Sequence, residues 1–183
     1  MQSGESTPTR DVTRNFDVVL SLCIEGKDTL SMNIQTPILI VDDDADVREM
    51  TRQVLEVSGY DEIIEARDGL EALRLLRDQL APMVVLCDYQ MPRQNGMQVI
   101  EALTSDPLRS PRHAFIMATA NEFLLSRAQR KLLRQQAIPL LRKPFEIDEL
   151  VESVERAAER LDHESVAMKA PTRSRALSGP LAP

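Results

Sequence analysis

Short apolar runs alternate with longer amphipathic segments through the middle of the chain. The strand-length runs are PILIV, EIIEA, MVVLC, AFIMA and IPLL, at Pro37–Val41, Glu62–Ala66, Met83–Cys87, Ala114–Ala118 and Ile138–Leu141. Four of them lack strict alternation of apolar and polar positions, which is typical of strands covered on both faces. The pattern therefore predicts five buried strands.

Helical periodicity fills the segments between these runs. Apolar positions recur at helical spacing in three sets, namely Val47, Met50, Val54 and Val57, then Leu70, Leu73, Leu76 and Leu80, then Ile147, Leu150, Val151, Val154, Ala158 and Leu161. Asp68 precedes the second set and is a plausible N-cap. Five successive strand–helix units predict an α/β fold with a doubly wound parallel sheet. Its strands end at one common edge, where such folds bind ligands.

Composition divides the chain into three zones. Residues 37–163 are dense in apolar positions and form the predicted domain, whereas residues 164–183 are rich in Pro, Ser and Ala and are predicted to be a disordered tail. For residues 1–36 two interpretations stand. They form a short ordered or disordered extension, or residues 1–31 lie upstream of a physiological start at Met32.

Charge and cysteine content exclude several classes. The net charge of −7 argues against a broad basic face for direct DNA binding. Two cysteines are too few for a disulfide framework. No apolar run approaches the roughly 18 residues of a membrane helix, and the run Val18–Ile24 lacks a clear signal-peptide cleavage site. We therefore expect a cytoplasmic protein without a membrane partner.

Charged and polar side chains follow the predicted strands at that common edge. Asp42 and Asp43 follow the first strand, Asp88 follows the third, Thr119 the fourth and Lys143 the fifth. Three carboxylates in contact repel unless a cation compensates, and hard oxygen ligands suit Mg²⁺. A carboxylate beside such a cation can attack phosphorus as a nucleophile. The set is coherent as a phosphoryl-accepting site.

These motifs resemble the receiver domain of two-component response regulators. The matching residues, in order along the chain, are Asp42-Asp43, Asp88 with Met91-Pro92 and Gly96, Thr119-Ala120, and Lys143-Pro144-Phe145. Any one motif is weak evidence, but the ordered set is highly specific. The resemblance implies a CheY-like, flavodoxin-like fold of five strand–helix units with strand order 2-1-3-4-5.

The resemblance also implies roles for the acidic residues. Asp88 is expected to accept a phosphoryl group from a phosphohistidine on a sensor histidine kinase or a phosphotransfer protein. Asp43 and Asp88, with the backbone carbonyl of Gln90, are expected to bind Mg²⁺, and Asp42 to act largely through water.

Two further residues complete the implied site. Thr119 is expected to move toward the phosphoryl oxygens and Lys143 to pair with them, and the bond from Lys143 to Pro144 is often cis in this family. One position departs from the pattern: Leu140 stands where the family usually has Tyr or Phe. This departure puts the usual signalling motion in question, but not the phosphorylation chemistry.

Output is expected to pass through another protein. The resemblance points to the face made by the fourth helix, predicted over Asn121–Gln136, and the fifth, predicted over Ile147–Leu161. Arg127, Arg130, Lys131 and Arg134 give the fourth helix a positive face, which favours an acidic partner. After Leu161 only the short tail follows in this sequence, so we expect a stand-alone regulator and not an enzyme.

Two alternatives use the same fold differently. A degenerate receiver would act as an interaction module without phosphorylation, with Leu140 in its favour. A phosphatase of the haloacid dehalogenase type would also use an aspartate nucleophile with Mg²⁺, but it needs a second Asp two residues later, where this chain has Gln90. His113 and His163 show no metal-ligand spacing, and we expect both on the surface.

Overall fold

The computed structural model describes residues 36–105 and 113–169, with side chains to residue 163. Its centre is a five-stranded sheet of order β2-β1-β3-β4-β5, in which every neighbouring pair is parallel. The strands are β1 Ile38–Val41, β2 Ile63–Ala66, β3 Val84–Asp88, β4 Ala114–Thr119 and β5 Leu140–Arg142. The predicted α/β class, parallel sheet and strand order are confirmed.

Within the described ranges, five α-helices connect and flank the strands. They are α1 Ala45–Val57, α2 Gly69–Asp78, α3 Gly96–Thr104, α4 Arg127–Gln135 and α5 Ile147–Lys169, with a short 3₁₀ helix at Glu122–Leu124. The central strands β1, β3 and β4 are buried along their whole length. This explains their continuous apolar runs, because helices cover both faces of the sheet.

Side-chain caps start the first four α-helices. Asp44 and Asp68 each accept two backbone N–H bonds at the start of α1 and α2, so the predicted N-cap at Asp68 is confirmed. Asn95 and Ser126 form capping boxes with the glutamines three residues later. Each cap satisfies backbone donors that have no partner within the helix. The caps therefore fix where each helix leaves the edge of the sheet.

The fifth strand begins later than the sequence pattern predicts. The backbone N–H of Ile138 donates to the Leu133 carbonyl at 2.8 Å and closes the end of α4. Pro139 has no backbone N–H to donate. The strand therefore begins at Leu140, and the predicted start at Ile138 is wrong.

The predicted fourth helix over Asn121–Gln136 is also wrong in its first part. Asn121 caps the 3₁₀ helix, Leu125 has an extended backbone, and Ser126 starts α4 anew. The residues that α4 and the preceding turn bury are Leu125 and Leu133.

Several predicted helix positions face solvent instead of the core. Val57 is 50% exposed and Leu80 is 96% exposed, because each lies at or beyond the end of its helix. Thr51 and Leu55 are buried on α1 in place of the predicted Met50 and Val57. The prediction for α5 holds better, since Leu150, Val151, Val154, Ala158 and Leu161 are all buried.

His113 contradicts the expectation of a surface histidine. It precedes β4, and both of its ring nitrogens are buried without a hydrogen-bond partner among the described residues. Burial lowers the pKa of His113 to about 4. His163 is exposed, as expected.

The last helix continues to Lys169, beyond His163, where we set the end of the domain. Residues 1–35, 106–112 and 170–183 lie outside the described part of the chain, and with them most of the proposed extension and tail. Within the described ranges, no helix combines the length and the apolar character that a membrane crossing requires.

Candidate functional site

Three carboxylates meet at the carboxyl edge of the sheet. Asp42 follows β1 and Asp88 ends β3, and these strands are neighbours with Val41 opposite Cys87. Carboxylate oxygens of Asp42, Asp43 and Asp88 all lie within 4.8 Å of one another. Asp42 and Asp88 are buried, whereas Asp43 is exposed. The cluster is therefore open to solvent on the Asp43 side.

Lys143 brings a positive charge to the two buried carboxylates. Its ammonium nitrogen lies 2.5 Å from Oδ2 of Asp42 and 3.2 Å from Oδ1 of Asp88. The backbone N–H of Lys143 donates to the Thr119 carbonyl at 2.8 Å, which fixes the end of β5 beside β4. The peptide bond from Lys143 to Pro144 is cis, as the family resemblance implied.

Burial and neighbouring charges both shift the pKa values of Asp88 and Lys143. Burial raises the pKa of Asp88, Lys143 opposes this shift, and Asp42 and Asp43 add to it, so that the net direction is upward. For Lys143, burial lowers the pKa, but the hydrogen bond to Asp42 and the charges of Asp42 and Asp88 raise it above its ordinary value. The cluster thus holds more negative charge than one ammonium group neutralises.

Thr119 lies next to this cluster at the end of β4. Its side chain is fully buried, and its Oγ1 accepts the backbone N–H of Asn121 at 3.1 Å. A hydroxyl that accepts this bond keeps its own proton available for donation. Leu140, which stands where the resemblance calls for an aromatic residue, is 37% exposed at the start of β5.

The loop between β3 and α3 packs tightly against the end of β3. The backbone N–H of Gly96 donates to the Tyr89 carbonyl at 3.2 Å. A Cβ atom at Gly96 would lie 2.6 Å from the Asp88 carbonyl oxygen and 2.8 Å from Sδ of Met117. Only glycine, which has no Cβ atom, therefore fits at this position. Gln90 lies in this loop, two residues after Asp88, with an exposed side chain.

Sequence reasoning missed an ion pair between this loop and the start of α2. The guanidinium of Arg93 pairs with Oδ2 of Asp68, whose side chain is 4% exposed. The hydrogen bond from the Glu71 backbone lowers the pKa of Asp68, and Arg93 lowers it further against the effect of burial. The N-cap signal identified Asp68, but no local signal identifies its partner 25 residues away.

Two further contacts were not predicted. The hydroxyl of Tyr89, the residue after Asp88, donates to the Leu124 carbonyl at 3.4 Å. Arg48 on α1 donates to the Asp42 carbonyl at 2.8 Å and pairs with Glu65 at 3.2 Å. These contacts support the backbone on either side of the acidic cluster.

One member of the predicted basic face has a structural contact. Arg130 donates to the carbonyls of Leu125 and Glu122, at 3.1 and 2.8 Å, and so holds the 3₁₀ turn against α4. Arg127, Lys131 and Arg134 are exposed. The exposed positive charge of α4 therefore comes from three side chains instead of four.

The acidic cluster fits a hard divalent cation. Three carboxylates are within reach of one ion, all donors are oxygen, and one side is exposed, so that water and a phosphoryl group can complete the octahedral shell that Mg²⁺ prefers. Asp42, Asp43 and Asp88 are the residues available to hold it.

The fold and the site agree with the comparison against known families. The family model of the response regulator receiver domain matches residues 38–155. The chain therefore belongs to the response regulator receiver family, a class of two-component signalling modules.

Individual relatives support this assignment. The chain is 31% identical over 123 residues to the chemotaxis protein CheY of Listeria monocytogenes, which covers 66% of this chain and 97% of that protein. It is 36% identical over 126 residues to the transcriptional regulatory protein CpxR of Escherichia coli, which covers 69% of this chain and 50% of CpxR. The match to the probable C4-dicarboxylate response regulator DctR of Priestia megaterium likewise spans half of that protein.

Solved structures show the same fold. A CheY-like receiver domain protein from Methanospirillum hungatei superposes with a TM-score of 0.60 at 29% identity, over 70% of this chain and 98% of that one. The receiver domain of the putative response regulator NarL from Mycobacterium tuberculosis gives 0.56 at 30% identity, over 68% of this chain and 96% of that one.

Proposed function

We propose that this protein is a phosphoacceptor response regulator, in which Asp88 receives a phosphoryl group with the help of Mg²⁺. The observation that carries the proposal is the position of the Lys143 ammonium group, 2.5 Å from Asp42 and 3.2 Å from Asp88 within a cluster of three carboxylates. Receiver domains with this arrangement need only position and stabilise a phosphoryl group, since the donor supplies the reactive bond.

The reaction begins with an ionised Asp88. One carboxylate oxygen of Asp88 attacks the phosphorus of a phosphohistidine, an O–P bond forms, and the P–N bond breaks. The donor ring carries a proton on its other nitrogen, so that the leaving nitrogen takes the electron pair and the donor histidine is left neutral. Lys143 favours the ionised nucleophile, because its charge opposes the upward shift that burial imposes on the pKa of Asp88.

The surrounding groups stabilise the transferred oxygens. Mg²⁺, held by Asp42, Asp43, Asp88 and the backbone carbonyl of Gln90, would neutralise negative charge on the phosphoryl group. Lys143 would pair with one phosphoryl oxygen, and the hydroxyl of Thr119 would donate to another. Because Lys143 contacts both Asp42 and Asp88 before transfer, phosphorylation must redistribute its contacts.

The phosphorylated form would signal through protein contacts and would not itself be an enzyme. The proposed donor is a sensor histidine kinase or a histidine phosphotransfer protein. The proposed output surface comprises the exposed faces of α4 and α5, where Arg127, Lys131 and Arg134 favour an acidic partner over DNA, given a net charge of −7 for the whole chain.

Phosphoramidate tests the transfer chemistry, because it carries the same P–N bond as phosphohistidine. The protein would be incubated with phosphoramidate and Mg²⁺, then treated with borohydride, which reduces an aspartyl phosphate, and the reduced position would be mapped by peptide mass spectrometry. Reduction within the peptide that contains Asp88 is expected. A reduced residue elsewhere, or none while a known receiver is labelled in parallel, contradicts the proposal.

A further inference from the structure

The loop after the phosphoacceptor strand is tied to the start of α2. Oδ1 of Asp68 accepts the backbone N–H groups of Leu70 and Glu71, each at 2.9 Å. Its other oxygen pairs with the guanidinium of Arg93 in the loop. One buried carboxylate therefore caps a helix and holds a neighbouring loop at the same time.

The loop backbone needs this support. Arg93 has a φ of 68°, a left-handed conformation that is uncommon for a residue with a Cβ and persists where surrounding contacts impose it. The next residue, Gln94, presses its carbonyl against α2: a Cβ at Gly69 would lie 2.6 Å from that oxygen. Side-chain and backbone contacts thus hold the same two residues of the loop.

The part of the loop that contains Arg93 lies between two residues, Tyr89 and Gly96, whose backbones are held by hydrogen bonds. The backbone of Tyr89 donates to the Ala118 carbonyl at 2.8 Å, and Gly96 donates back to the Tyr89 carbonyl at 3.2 Å. Gln90, whose backbone carbonyl is a proposed Mg²⁺ ligand, begins the segment between them. The shape of that segment determines where this carbonyl lies.

We propose that Arg93 and Asp68 are positioning residues for Mg²⁺: their ion pair holds the β3–α3 loop in the shape that presents the Gln90 carbonyl to the metal. The inference rests on the proposed function. Its physical basis is preorganisation, because a loop that is already ordered loses less conformational freedom when the ion binds. Partners beyond the direct ligands tune metal affinity in the same way.

Two substitutions remove the ion pair with little other change. Arg93→Gly suits the left-handed backbone and removes the whole side chain, including the guanidinium. Asp68→Asn keeps a good N-cap acceptor for α2 but removes the negative charge. Arg67→Met is the matched control, because Arg67 is 72% exposed and its Nε lies 4.0 Å from the same Asp68 oxygen.

Isothermal titration calorimetry of the full chain with Mg²⁺ measures the effect directly. We expect Arg93→Gly and Asp68→Asn each to raise the Mg²⁺ dissociation constant roughly tenfold, at the lower end of what loss of an outer partner causes. The double variant should resemble either single one, since both remove the same interaction. Arg67→Met should bind Mg²⁺ as the wild type does.

Phosphorylation kinetics distinguish an effect on Mg²⁺ binding from a general disturbance of the site. With acetyl phosphate as donor, Arg93→Gly should need more Mg²⁺ for half-maximal phosphorylation but reach the wild-type rate at saturation. Unchanged Mg²⁺ affinity in both variants, with normal binding by the wild type, overturns this inference and leaves the proposed function intact. Absence of Mg²⁺ binding by the wild type instead contradicts the proposed function itself.

Discussion

The ammonium nitrogen of Lys143 lies 3.2 Å from Oδ1 of Asp88, although 55 positions along the chain separate the two residues. The same nitrogen contacts Asp42 at 2.5 Å. The parallel sheet makes this possible, because β1, β3 and β5 all end at one edge. The Lys143 ammonium group therefore offsets part of the repulsion among the three carboxylates.

Removing this cation should slow phosphoryl transfer. We expect Lys143→Gln to lower the rate of phosphorylation by acetyl phosphate about a hundredfold at saturating Mg²⁺, the scale of losing one preorganised electrostatic contact. Lys131→Gln, an exposed lysine on α4, is the control and should react as the wild type does. Equal rates for the two variants would refute a role for Lys143 in the transfer.

Gly96→Ala should destabilise the fold beside Asp88. The added methyl would lie 2.6 Å from the Asp88 carbonyl oxygen and 3.1 Å from Sγ of Cys87, and both are buried. We expect a loss of about 2 kcal/mol in the free energy of unfolding, as for other overpacked sites. Glu101→Ala on the exposed side of α3 is the control in urea denaturation. Similar urea midpoints for both variants would show that the atoms around Gly96 move aside at little energetic cost.

The stability of the fold should depend on the hydroxyl of Tyr89 but not on the hydroxyl of Tyr60. Tyr89→Phe removes the bond to the Leu124 carbonyl and should cost about 1 kcal/mol. Tyr60 has a buried hydroxyl without a partner among the described residues, and burial, with Glu155 and Glu159, raises its pKa to about 12. Tyr60→Phe should therefore be neutral or stabilising. Thermal unfolding measures the stability of both variants. A greater loss of stability for Tyr60→Phe than for Tyr89→Phe would contradict these hydroxyl contacts.

Stability should fall in mild acid because of His113. Its pKa is lowered to about 4 from 6.5 by burial, so the unfolded chain binds a proton that the folded protein does not. The contribution of neutral His113 is complete above about pH 6.5 and declines as the pH falls toward 4. We expect it to amount to about 2 kcal/mol, discounted for partial exposure of the ring.

Urea denaturation at pH 7 and pH 4.5 tests this titration. His113→Leu should lose less stability between the two pH values than the wild type, whereas His163→Leu, at an exposed position, should behave as the wild type. The same pH dependence in all three proteins would mean that His113 titrates normally when folded.

The sequence pattern predicted which site residues lie at the carboxyl ends of the strands. Asp42, Asp88 and Lys143 each follow an apolar run, and parallel topology alone brings such residues together. The start of β5 was predicted wrongly, because the N–H of Ile138 serves the preceding helix. That choice depends on how α4 ends, which an apolar pattern does not encode.

Contacts between different loops could not be predicted from the sequence. The pairing of Arg93 with Asp68 depends on the position of two loops from different strand–helix units. Burial of His113 likewise follows from packing at the start of β4 and not from its polar neighbours. Such features depend on tertiary geometry, where residue type and spacing carry little information.

Intact-mass spectrometry after incubation with acetyl phosphate is the most direct test of whether Asp88 accepts a phosphoryl group. The wild type and Asp88→Asn would be compared, each with Mg²⁺ and with excess chelator. We expect a gain of one phosphoryl group in the wild type with Mg²⁺, and none with chelator or in the variant. An equal gain in Asp88→Asn, or no gain in the wild type under conditions that phosphorylate a known receiver, would contradict the assignment of Asp88 as the phosphoacceptor.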